Sequence, residues 1–97
     1  MKNLINKITK LEQKARNAND RSGFQIARLG AMRLKDQVIQ EVFRLKNEGK
    51  LEESKELENA LINEEIERIE EYKRNAANTV ARMQYEEQVQ DLKSQIN

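Results

Sequence analysis

The chain has 97 residues, 37% of them hydrophobic and 36% charged, a balance that suits long, thin helices better than a thick core. Cysteine and histidine are both absent, which excludes disulfides, thiolate nucleophiles and Cys/His zinc sites and removes the side chain best suited to proton transfer near neutral pH. The net charge of +1 hides an asymmetry: residues 1–50 carry twelve Lys/Arg against five Asp/Glu, and residues 51–97 carry six against twelve. A basic half joined to an acidic half predicts two arms with complementary fields.

There is no proline, and the three glycines are Gly23, Gly30 and Gly49. Apolar residues recurring at three- and four-residue steps predict an all-α chain, a single helical domain over 1–97 with helices at about 2–18, 23–47, 51–74 and 78–95, the last two either separate or continuous. The first helix carries a narrow seam of Leu4, Ile8, Leu11, Ala15 and Ala18. Asn17, Asn19 and Asp20 are poor helix formers, and Ser22 with Gln25 can form a capping box that opens the next helix. The seam also runs in phase through Ser22 and Gln25 to Leu29, so one continuous helix is the alternative.

The second helix has two apolar flanks. Phe24, Ala27, Ala31, Leu34, Val38, Val42 and Leu45 form one, and Leu29, Met32, Ile39 and Phe43 the other. Two flanks predict a central helix with two neighbours, both phenylalanines facing a core and Arg33, Gln37, Gln40 and Arg44 lining the wet side. The strongest break is Asn47-Glu48-Gly49-Lys50, where glycine can end a helix in the left-handed conformation. An antiparallel helical hairpin, coiled-coil-like, follows from it. Glu52 and Glu53 then suit the first turn of the third helix.

Beyond the turn, Leu57, Leu61, Ile62, Ile66, Ile69, Ala76, Val80 and Met83 continue at helical spacing, with Glu64–Arg68 and Glu70–Arg74 as i,i+4 pairs. From Tyr85 the stripe shifts to Tyr85, Val89, Leu92 and Ile96, so the helix bends near residues 74–79 or meets another neighbour. Counting back from Gly49 puts residues 19–25 level with residues 75–79, both small and polar. Hinges at both places give a three- or four-helix bundle. Straight arms give a hairpin of ~70 Å that must dimerise to cover its flanks.

Candidate chemistry is sparse. The carboxylates of Glu64-Glu65-Ile66-Glu67-Arg68-Ile69-Glu70-Glu71 flank inward isoleucines and read as a solvated, salt-bridged face, since the histidine of a helical di-iron site is missing. No catalytic residue, cofactor site or metal site is assigned. Lys7, Lys14, Arg21, Arg28 and Lys35 are spaced by seven and form a basic stripe, which either answers the acidic arm or tracks phosphates. Gly30 inside a strong helix marks either a close approach or a tolerated glycine. The amphipathic start, Lys2, Lys7, Lys10 and Lys14 beside Leu4, Ile5, Ile8 and Leu11, has a small apolar face that favours packing on the hairpin over a membrane surface.

These readings predict a small non-enzymatic helical interaction protein, an adaptor, inhibitor or regulator that binds a protein partner and forms a homo-oligomer, a dimer being favoured. Its partner-binding residues are expected to be Arg21, Arg28, Arg33, Lys35, Tyr72 and Tyr85. The alternatives are nucleic-acid binding through the basic N-terminal half and a structural or scaffolding coiled coil. No apolar run approaches the ~20 residues of a membrane span, and the start has neither the apolar region of a signal peptide nor a glycine after Met1. The expected location is the cytoplasm, that of the host if the chain is phage-encoded.

Overall fold

The computed structural model describes residues 2–96. Four helices follow one another in it, α1 (Lys2–Arg16), α2 (Arg21–Asn47), α3 (Leu51–Arg74) and α4 (Thr79–Lys93), with no strand among the described residues. The chain forms two compact units, Met1–Glu58 and Asn59–Asn97.

In the first unit, α1 packs on α2. α1 buries Ile5, Ile8, Glu12 and Ala15, while Leu4 and Leu11 are half-buried at the margin. The buried side of α2 is Ala27, Ala31, Val38, Val42 and Leu45. Small residues there allow a close approach: a Cβ added to Gly30 would stand 3.2 Å from Leu11 Cδ1 of α1. Gly30 therefore seats a crossing helix.

The corner between α1 and α2 is closed by local chemistry. The Asn17 and Ala18 N–H groups donate to the Gln13 and Ala15 carbonyls, which ends α1. Asp20 then adopts an extended backbone, and its carboxylate accepts from the Gly23 N–H at 2.6 Å. The N-cap expected at Ser22 is thus at Asp20, and no helix is continuous through this point. A carboxylate satisfies the free amide as a hydroxyl would and adds negative charge at the positive helix end.

At the far end of α2, Gly49 takes φ +79. The Lys50 N–H donates to the Leu45 carbonyl at 2.9 Å and the Gly49 N–H to the Lys46 carbonyl at 3.0 Å, a Schellman closure. After it, Glu52 and Glu53 lie in the first turn of α3. Ser54, 1% exposed, donates from Oγ to the Val42 carbonyl at 3.0 Å and fixes the first turn of α3 against α2.

In the second unit, Ile66 and Ile69 of α3 and Val89 of α4 are buried together, with Ile62, Tyr85, Leu92 and Ile96 packed around them. The two helices are separate. Asn78, extended, caps α4 by accepting from the Ala81 N–H at 2.7 Å, and Arg82 Nε donates to the Ala76 carbonyl at 3.2 Å. This break resets the helical phase. Val80 and Met83, expected to continue the buried stripe of α3, are 65% and 61% exposed.

Candidate interaction surface

One face of the first unit carries a row of exposed apolar side chains. On α2, Leu29, Met32, Ile39 and Phe43 are 53%, 50%, 42% and 58% exposed, and Ile26 beside them is 70% exposed. With Asp36 they follow steps of three and four residues, 29, 32, 36, 39 and 43, the spacing of a coiled-coil seam. At ~100° per residue this seam lies across the helix from the buried Ala27, Ala31, Val38 and Val42. The second apolar flank read from the sequence is thus about half exposed and not buried as the first is. Phe24 and Phe43, expected to face a core, are both exposed. Phe24 stands one turn inside the start of α2 and is 46% exposed.

Arg33, Gln37, Gln40 and Arg44 are exposed as the wet side requires. Arg44 is engaged within its own helix: Nε meets Glu41 Oε2 and Nη1 meets Glu48 Oε1, both at 2.8 Å. The hydrogen bond from Arg44 holds the Glu41 carboxyl below its ordinary value, and the two carboxylates raise the guanidinium's pKa in turn.

The basic stripe divides in two. Glu12, 4% exposed, takes Arg28 Nη1 at 2.5 Å on both of its oxygens and Lys35 Nζ at 3.2 Å. Arg28 and Lys35 are thus paired with a carboxylate of α1. Arg21 and Arg33 are exposed and make no ion pair or side-chain hydrogen bond among the described residues, and the same holds for Asp36. Lys7, Lys10 and Lys14 on α1 are likewise exposed and unpaired. The only carboxylate of α1, Glu12, is turned inward.

On the second unit, Tyr72 and Tyr85 are half-buried and pack on each other with ring centroids 6.2 Å apart at 55°, joining α3 to α4. The acidic run is not uniformly solvated: Glu64 and Arg68 are 7% and 8% exposed and paired at 3.1 and 3.3 Å. Glu70 pairs with Lys93 of α4 at 3.8 Å, not with Arg74. Lys73 bonds Glu86 and holds that carboxyl below its ordinary value, with Gln90 assisting.

A shallow hollow of about 330 Å³ at the α1–α2 corner is lined by Lys14, Asn17, Ala18, Asn19, Asp20 and Gly23. Its one acid, Asp20, is committed to the helix cap. Among the described residues there is no group of three or more acidic side chains that could hold a metal ion, and no helix long and apolar enough to cross a membrane. No protein-family model, curated protein or solved structure matches the chain.

Proposed function

We propose that this is a non-enzymatic helical interaction protein whose working surface is the outer face of α2, and whose occupant is an amphipathic helix of another chain. The observation that carries the reading is the seam itself. Leu29, Met32, Ile39 and Phe43 stand in heptad spacing, about half exposed, on a helix that already buries its opposite face. Scattered surface leucines are ordinary, but a contiguous apolar stripe of several hundred Å² marks a site of association. The closed turn at Gly49 and the Ser54–Val42 bond support a hairpin of α2 with the start of α3, which keeps the seam rigid. A rigid seam loses less entropy on docking.

The test is whether the face is surface or core. Replacing Met32 and Ile39 together by glutamate should leave helical circular dichroism and a cooperative melt in place. It should also remove binding of an apolar fluorescent dye at high dilution. A doubly substituted chain that no longer folds would show the face to be core and end the proposal.

A second reading rests on a different observation: Lys7, Lys10 and Lys14 share one exposed, unpaired face of α1 whose only carboxylate is buried. Such a face can follow the phosphates of a nucleic acid. Binding would fall steeply with salt and vanish on replacing the three lysines by glutamate. If the unaltered protein gives no gel shift of duplex or single strands at low salt, this second reading fails.

A further inference from the structure

We infer that the helix received by the outer face of α2 is α2 of a second copy, lying antiparallel across a two-fold axis near residue 34. This rests on the reading of that face as a docking surface and names its occupant.

The argument begins with charge. Next to the apolar side chains stand Arg33 and Asp36, three residues apart, opposite in sign and without an ion pair or side-chain hydrogen bond among the described residues. A two-fold interface brings each patch onto itself, so it must be self-complementary. Antiparallel helices whose facing residue numbers sum to 68 or 69 meet that condition. Ile39 then lies level with Leu29 of the second copy, Phe43 with Ile26, and Asp36 with Arg33, each contact occurring twice. In the helical wheel Ile26 and Arg33 flank the seam on one side, and antiparallel pairing brings like flanks together. Phe43 therefore reaches Ile26 and Asp36 reaches Arg33 without leaving the seam. A parallel alignment instead places Asp36 against Asp36 in one buried layer, which like charges oppose.

Area points the same way. Five side chains about half exposed, at on the order of 200 Å² each, offer on the order of 500 Å² of apolar surface from each copy, against the ~800 Å² a standard interface takes from each partner. Long polar neighbours along α2, Gln25 and Gln40 among them, add to it. A lipid surface would have to bury Asp36 with no counter-charge, whereas a second copy supplies one. A polar group at one seam position also fixes register and orientation, and Asp36 has that role here.

The test uses the full chain in sedimentation equilibrium. The unaltered protein should run at twice 11.4 kDa at micromolar concentration and dissociate on dilution. R33D and D36R each put like charges across the seam and should weaken the dimer at least tenfold. The double exchange R33D/D36R restores opposite signs and should return the dissociation constant to within about threefold of the original. Because the sequence has no cysteine, L29C and I39C report register directly. An equimolar mixture should form a mixed disulfide dimer, and I39C alone should not. An unaltered chain that stays at 11.4 kDa at 100 µM, a double exchange weaker than either single change, or a ready I39C disulfide would each overturn the inference. If the chain is monomeric while the Met32/Ile39 double glutamate variant folds, only the second copy is refuted as occupant and the docking face stands.

Discussion

Val38 and Ile39 are neighbours in sequence and opposites in environment, which makes them a direct probe of the two faces of α2. Val38 is fully buried and Ile39 is 42% exposed. Val38→Ala removes two buried methyl groups, about 1.6 kcal/mol at ~0.8 kcal/mol each, and the cavity left behind raises the total to about 2–3 kcal/mol. Ile39→Ala removes three carbons that are little more than half covered, about 1.4 kcal/mol, and recovers a few tenths because alanine is the better helix former. Its net cost at high dilution is about 1 kcal/mol. For a domain of this size, ~4–8 °C of melting temperature per kcal/mol makes the difference measurable. Thermal and urea melts by circular dichroism, run from below to above micromolar concentration, check it. Val38→Ala should cost the same throughout, and the cost of Ile39→Ala should grow with concentration as self-association covers that side chain. If Ile39→Ala costs as much as Val38→Ala at high dilution, the assignment of inner and outer faces is wrong.

Other predictions are local. Asp20→Ala should cost about 1 kcal/mol by losing the bond to the Gly23 amide, and Ser22→Ala close to nothing, a contrast that urea melts resolve. Gly30→Ala should fall within about 1 kcal/mol of neutral, because the helix-propensity gain is offset by contact with the flexible end of Leu11, whereas Gly30→Val should be clearly destabilising. The Glu86 carboxyl, held down by Lys73, titrates below its ordinary 4.5 in the folded chain. Its contribution is therefore present above the unfolded value and is lost as pH falls through the folded one. NMR titration of Glu86 should show this depression and its partial loss in Lys73→Met.

Much of the fold is legible in the sequence because its breaks are few and chemically distinct. Gly49 in the left-handed region and the asparagines around residues 17–19 and 75–78 stop helices for reasons visible residue by residue. The choice between Asp20 and Ser22 as cap was not legible, since both side chains accept from a free amide and only the path of the chain selects one. Periodicity shows that α2 has two apolar flanks but does not say which is covered. Size was the missed signal: the buried flank carries Ala27, Ala31 and Val38, which let a neighbour come close, and the open flank carries the bulky Leu29, Met32, Ile39 and Phe43. The burial of Glu12 also had a trace, in the spacing Ile5, Ile8, Glu12, Ala15. Its pairing with Arg28 and Lys35 depends on the approach of α1 to α2, which no local pattern encodes.

Methionine oxidation reads the central claim in the unaltered protein. Met32 lies on the outer seam of α2 and Met83 on α4, with similar exposure, 50% and 61%. Peroxide converts accessible methionine to sulfoxide, and mass spectrometry gives each rate separately. At high dilution the two should react at comparable rates. At high concentration Met32 should become protected while Met83 does not. A Met32 that resists even at high dilution, or one that tracks Met83 at every concentration, would contradict the assignment of this face as the surface that another helix covers.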